Sequence, residues 1–326
     1  MQRAKDKAAA GFTPAGGGGI LSLHIASNLP ERPLRSMVLG GQLPNANGIT
    51  IGLVGRGIAS SLSPLMHESE GQRLGLDYRY HLIDFDRLGL DDDQLPTILG
   101  EARELGFSGL NITYPFKQAV LPLLDDLAPD AAAIGAVNTV VFEQDRSIGH
   151  NTDCWGFAES FRRGLPGVAR GYVLQLGSGG AGAAVAQALL QCGAEHLAIY
   201  DTDLVKARAL ATRLQEQLGA DVAVVDDVAG AAALAEGIVN ATPVGMSKMP
   251  GLPIDAALIL PRHWVADVVY FPLETALVQL AYSRGCDVLP GGGMAVYQAV
   301  RAFELFASIR PDAAAMAETF RVAVGR

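Results

Sequence analysis

The segment "GYVLQLGSGGAGAAVAQALLQCGAEHLAIYD", residues 171–201, constrains the fold more than any other part of the chain. "YVLQL" is a short apolar run ending at glycine, which reads as a buried strand. "AAVAQALLQCG" continues as a helix, and "HLAIY" is a second strand. Between the first strand and the helix, Gly177, Gly179 and Gly182 stand in GxGxxG spacing, with Gly180 and Ala181 inside it. The bare spacing is weak, but its place between a strand and a helix strengthens it. Such glycines permit a tight turn and let the backbone approach a pyrophosphate. The helix N-terminus adds free N–H groups and a partial positive charge. A close strand–helix turn without a ligand is the competing reading.

The second strand ends at Asp201, about 20 residues past the last glycine. A carboxylate there can accept from both ribose hydroxyls of NAD and would repel the 2′-phosphate of NADP. It can equally cap the next helix. Lys206 and Arg208 follow at a distance, so NAD is the expected cofactor and NADP the alternative.

The remaining chain alternates in the same way. "ITIGLVG", "YRYHLIDF" and "FSGLNIT" read as strands separated by helices at "SPLMHESEGQRLGL" and "LPTILGEARELG". Ser63 is a plausible N-cap with Pro64 at the first helical position. "KQAVLPLLDDLAPDAAAIG" reads as mostly helical, and "AVNTVVFEQDRSIGHNTD" as a hairpin turned at "QDRS". Strands alternating with helices imply an α/β fold with a mainly parallel sheet. A second unit begins near Cys154, and a long helical stretch closes the chain from Met294. Residues 1–48, with a Gly run and no period, read as a poorly ordered extension; regular patterning starts near Ile49, and Met37 is a candidate start. The expected division is 1–48 extension, 49–152 plus 291–326 substrate-binding catalytic domain, and 153–290 dinucleotide-binding domain.

Composition excludes several classes. The 326 residues carry a net charge of −9, a poor match to a nucleic-acid backbone. No apolar run reaches the ~18–20 residues needed to span a bilayer. Cys154, Cys192 and Cys286 are far apart and odd in number, which fits neither a disulfide framework nor a metal site and suits a reducing cytoplasm. The six histidines lack ligand spacing, so no metal is expected. Whether the chain is a monomer or a homodimer is not written in any motif.

Polar residues gather where strands end: Ser61 and Ser63 after the first, Asn111, Thr113 and Lys117 after a later one, Asn138 in "GAVNTV" and Asp153 in "HNTD". Ligands of α/β sheets bind at the carboxyl ends of strands. Each residue alone has a plainer role: a helix cap for Ser61, Ser63 or Asp153, a turn for Asn138, a solvated cation for Lys117. All of them together at strand ends, beside a dinucleotide unit, are more than accident would gather there.

The motifs "SLSP" (61–64), "GLNITYPFK" (109–117), "GAVNTV" (135–140), "HNTD" (150–153), "GSGGAG" (177–182), "NATPVGM" (240–246) and "MAVYQAV" (294–300) resemble those of the shikimate/quinate dehydrogenases. The resemblance runs from about Ile49 to the C-terminal helix. It implies a catalytic α/β domain and a Rossmann domain, with the last helices returning to the first and the active site in the cleft between them. By that resemblance Ser61, Ser63 and Tyr270 hold the substrate carboxylate. Thr113, Asn138 and Gln298 surround the ring hydroxyls, supported by Asn111. Lys117 and Asp153 match the catalytic pair. Thr242, Gly293 and Met294 fall in segments that approach the nicotinamide.

The chemistry suits those side chains. Oxidising a secondary alcohol removes a hydride and a proton; the cofactor takes the hydride, and the protein must manage the proton. A lysine can stabilise the developing alkoxide or shuttle its proton, and a carboxylate can position it. The biosynthetic shikimate pattern usually has a small aliphatic residue where this chain has Tyr114, and a basic segment where it has "DTD". Both departures resemble the NAD-linked quinate/shikimate branch. The expected substrate is quinate, shikimate or a close analogue such as aminoshikimate. Quinate differs by one hydroxyl at the carboxylate-bearing carbon, so discrimination depends on room near Ser61 and Ser63.

Overall fold

The structure is a computed structural model, and it describes residues 34 and 48–325. The first half runs through β1 (Ile49–Gly55), α1 (Ser63–Arg73), β2 (Tyr78–Asp84), α2 (Phe85–Leu88), α3 (Leu95–Glu104), β3 (Gly109–Ile112), α4 (Phe116–Ala119), β4 (Asp126–Leu127), α5 (Pro129–Ile134), β5 (Thr139–Glu143) and β6 (Arg146–His150). Its strands form one sheet in the order β2-β1-β3-β5-β6-β4. β1 lies parallel to β2 and β3, and β4 lies parallel to β6. The β5–β6 hairpin supplies the antiparallel pairs. Gln144 and Asp145 turn it, both with positive φ, which matches the twist of a two-residue hairpin.

The second half contains α6 (Thr152–Gly164), β7 (Tyr172–Leu176), α7 (Gly180–Gln191), β8 (His196–Tyr200), α8 (Leu204–Leu218), β9 (Asp221–Val224), α9 (Val228–Leu234), β10 (Gly237–Asn240), β11 (Trp264–Asp267), α10 (Ala276–Ser283), β12 (Asp287–Leu289), α11 (Gly292–Ala307) and α12 (Ala313–Val324). Its sheet is parallel throughout, in the order β12-β11-β10-β7-β8-β9. The chain steps from β7 outward to β9, then returns to the other side of β7 at β10. This switch point opens a crevice at the carboxyl ends of β7 and β10, where a dinucleotide binds in such sheets.

Helices α11 and α12 return to the first sheet. Phe303, Phe306, Met316 and Phe320 share a core with Ile51, Leu53 and Tyr80. Met294, at the start of α11, packs instead in the core of the second sheet. Helix α6 packs along α11, so these two helices join both halves.

Four local expectations are corrected. The stretch 117–135 is not mostly helical: Pro122 and Pro129 break it into α4, a 3₁₀ turn, β4 and α5, because proline lacks the N–H an interior helical turn needs. β9 and α9 were not anticipated; "DVAV" and "VAGAAAL" are too short to show a period. The terminal helix is two helices, parted around Ser308 in the left-handed region and Pro311. Ser63 is the first residue of α1 rather than its cap, and its N–H donates to Ser61 Oγ at 3.3 Å.

Of the expected extension, Leu34 is described and is fully buried with Ile98, Ala102 and Phe107. Its N–H donates to Glu101 Oε2 at 2.8 Å. The expectation for the rest of 1–47 lies outside the described residues. Among the described residues no helix is long and apolar enough to cross a membrane, and the three cysteines are free and buried.

Candidate active site

Strand β3 delivers Asn111 and then Thr113 to the carboxyl end of the first sheet, and α4 follows after Pro115. Helix α4 is a single turn, anchored by the buried Phe116 and followed by the buried Val120. It presents Lys117, whose Nζ donates to Asp153 Oδ2 at 2.5 Å. Both side chains are largely enclosed, 19% and 8% exposed. Asp153 sits in the first turn of α6, which Asn151 caps by accepting from Cys154 N–H. Asp153 is therefore not the cap.

Behind this pair runs a buried polar chain. Tyr80 O–H donates to Asn111 Oδ1 at 2.9 Å, and Asn111 Nδ2 donates to Thr139 Oγ1 at 3.0 Å. Asn138 Nδ2 donates to Thr152 Oγ1, and Thr152 N–H donates to Asn138 Oδ1. Asn138 thus ties the edge of β5 to the turn that carries Asp153. Ser63 stands beside the Tyr80 hydroxyl. Burial raises the Tyr80 phenol well above its ordinary range. Tyr270 lies across the site, its phenol raised by desolvation in the cleft and then by the Asp153 charge.

Other residues are arranged less simply. Gln298 donates its amide to Ala295 O in its own helix, and its backbone crosses α6 at Gly156. Gly293 faces Ser160 of α6, and Met294 is in the core, so neither is shown lining the cleft here. Tyr114 is 75% exposed and accepts from Arg56 N–H only through its carbonyl.

The dinucleotide turn is built as its spacing implies. Gly177 has φ +99°, and a Cβ on Gly182 would stand 2.4 Å from Gly177 O. Only glycine tolerates either place. Among the described residues nothing lies within 4 Å of a Cβ position on Gly179, which leaves open space beside the N–H groups of Gly180 and Ala181 at the start of α7. That space and those donors fit a pyrophosphate. Asp201 turns toward the same loop: Oδ2 accepts from Ser178 N–H and Oγ–H, both at 2.7 Å, and Oδ1 from Asp203 N–H. Desolvation works to raise its carboxyl, but these hydrogen bonds outweigh it and hold it below the ordinary range. Asp203, not Asp201, caps α8. At the end of β10, Thr242 N–H and Oγ–H donate to Asn240 Oδ1, and Asn240 Nδ2 donates to Asp267 Oδ1.

The two halves meet at Lys117, whose aliphatic stem lies against Gly180. Sequence reading did not single out Tyr80, Thr139, Thr152, Asn240 or Asp267. Thr139, Thr152 and Asn240 lie inside the family motifs, so adjacency was a usable signal; Tyr80 and Asp267, in ordinary-looking strands, offered none. Among the described residues no group of three or more His, Cys, Asp or Glu is placed to hold a metal.

A family profile for the shikimate dehydrogenase substrate binding domain matches residues 53–140. A shikimate dehydrogenase (NADP(+)) of Streptomyces avermitilis is 53% identical over 269 residues, covering 82% of this chain and 92% of the relative. A quinate/shikimate dehydrogenase (NAD(+)) of Corynebacterium efficiens is 45% identical, covering 85% and 99%. The solved quinate dehydrogenase from Corynebacterium glutamicum in complex with NAD superposes with a TM-score of 0.79 at 44% identity, over 84% of this chain and 99% of that one.

Proposed function

The chain belongs to the shikimate dehydrogenase family, and on that premise we propose that it oxidises quinate, shikimate or both to the 3-dehydro ketone, reversibly and with NAD. The observation that carries this reading is the Lys117–Asp153 pair, held at 2.5 Å beside the dinucleotide turn. We assign the substrate to residues 49–152 plus 291–326 and the dinucleotide to 153–290.

In this reading Ser61, Ser63 and Tyr270 bind the substrate carboxylate, and Thr113, Asn138 and Gln298 orient the ring hydroxyls, with Asn111 behind them. Lys117 takes the hydroxyl proton in the oxidising direction and returns it in the reducing direction. Asp153 orients Nζ. Gly177, Gly179, Gly180, Ala181 and Gly182 with Asp201 would hold the dinucleotide, with Thr242 on the nicotinamide side. When bound, the dinucleotide supplies the hydride acceptor. Asp201 supports NAD, since a second anion there opposes a 2′-phosphate.

The test is a grid of shikimate and quinate against NAD and NADP, followed at 340 nm. Reduction of NAD with either acid is the expected result. A second reading, an NADP-linked shikimate dehydrogenase, draws support from the name of the Streptomyces avermitilis relative; turnover with NADP alone would establish it. No turnover in any cell, from folded protein, would shift the assignment to aminoshikimate or to a binding protein without activity.

A further inference from the structure

Each glycine of the "GSGGAG" turn has its own reason to lack a side chain. Gly177 needs its left-handed φ, and Gly182 needs its contact with Gly177 O. Gly179 opens onto free space where a dinucleotide would sit. Gly180 fits none of these reasons. It is the first residue of α7 and has no left-handed φ. Alanine would be the better helix former there. What stands in the way is the other half of the protein: a Cβ on Gly180 would lie 3.3 Å from Lys117 Cβ and 3.4 Å from its Cδ. The first distance is tighter than ordinary carbon–carbon contact and the second is at its lower edge, so the lysine stem would have to give by a few tenths of an ångström.

We propose that Gly180 is a positioning residue for Lys117: its bare backbone is the wall that sets the course of the lysine stem, and so the place of Nζ relative to Asp153. The local structure makes such a wall useful. Lys117 rides on the single turn α4, whose N-terminus has no side-chain cap. Its Nζ is held by Asp153. Lysine has a flexible stem with several rotors, so one ion pair alone leaves its path loosely set. Gly180 limits that path from the second half of the protein. The wall belongs to the helix that receives the dinucleotide, so a proton-handling group of one half is aligned by the cofactor-binding element of the other.

This inference rests on the proposed dehydrogenase reading, and the experiment separates the two. Turnover by the unaltered protein is measured first, and its absence would count against the function, not against Gly180. Gly180→Ala, Gly179→Ala, Lys117→Ala and the double variant Lys117→Ala/Gly180→Ala are then compared, with thermal melts to establish folding and calorimetric titration with NAD. Gly180→Ala is expected to lower kcat, measured at saturating NAD so that any change in NAD binding is separated out, by about tenfold, as a displacement of a few tenths of an ångström at a reacting group does. In the Lys117→Ala background the same change is expected to alter kcat by less than about twofold, since coupled residues are not additive. Gly179→Ala should instead weaken NAD. A reading independent of turnover is the rate of Lys117 acetylation by acetic anhydride, followed by mass spectrometry, which is expected to rise in Gly180→Ala as Nζ leaves Asp153. A raised NAD Kd with unchanged kcat, an equal kcat loss in both backgrounds, or an unchanged acetylation rate would overturn the proposal.

Discussion

Asn138 and Thr152 hold each other at two points: Thr152 N–H donates to Asn138 Oδ1 at 2.7 Å, and Asn138 Nδ2 donates to Thr152 Oγ1 at 2.9 Å. Both residues are buried, and Asp153 is the next residue along α6. Asn138→Ala leaves buried polar groups without partners, which costs about 1–3 kcal/mol. Urea unfolding should show that loss together with a fall in kcat. A fall in kcat at unchanged stability would assign Asn138 to the substrate alone.

Lys117→Ala is expected to lower kcat by about 10²-fold or more, the usual scale for lost acid–base help. Its melting temperature should fall somewhat, because Asp153, only 8% exposed, loses its cation. Asp153→Asn should impair turnover as well. Steady-state kinetics checks both, and a near-normal kcat in Lys117→Ala would remove the lysine from proton transfer.

Asp201→Ala removes the acceptor that Ser178 and Asp203 share. NAD affinity should fall by about tenfold and the preference should move toward NADP, on the scale of a hydrogen bond to a charged group. The sign of its pH dependence follows from its lowered carboxyl. The ionised form is fully present above the ordinary carboxylate range and is lost only as pH falls through the lowered value. Asp201 should therefore leave the KM for NAD flat from about pH 9 to about pH 5. Initial rates with both dinucleotides across that span test this.

His67 is fully buried among Tyr78, Tyr80, Phe303 and Phe306, and its Nε2 has no hydrogen-bond partner among the described residues. Burial lowers its pKa from 6.5 to about 3. Below pH 6.5 the unfolded chain takes up a proton that the folded protein refuses, so stability present above 6.5 drains away as pH falls toward 3. At pH 5 the loss from this residue is about 2 kcal/mol. His67→Phe should shrink the difference in unfolding free energy between pH 7 and pH 5 by that amount, measured in urea. The substitution also gives up the 2.9 Å bond between Nδ1 and the Tyr78 hydroxyl, which lowers stability at both pH values alike.

Leu34 is buried completely beside α3, with its N–H on Glu101. Leu34→Ala should cost about 2–5 kcal/mol, the range for emptying a leucine site in a core. A chain begun at Met37 should show a comparable loss. Equal stability of the parent and the shortened chain would make the Leu34 contact dispensable.

Much of the fold was legible because its signals are local. "YVLQL", "GSGGAG" and "HLAIY" each carry their strand or turn signal within a few residues, and the structure has each one at that place. The helix expected over 117–135 fails for a local reason too: Pro122 and Pro129 interrupt its apolar spacing. The short β9 and α9 were missed because four and seven residues cannot display a period.

The sequence by itself determined which groups are available: a glycine turn at 177–182, a carboxylate at 201, and a lysine, two asparagines and an aspartate near strand ends. Only the tertiary structure decided which of them meet. Lys117 reaches Asp153 across 36 positions, Asn138 grips Thr152, and Gly180 of the second half stands against the stem of Lys117. The physical reason is that periodicity and turn chemistry act over a few residues. Contact between residues far apart in the chain depends on how sheets and helices pack, and that is set by the whole core at once.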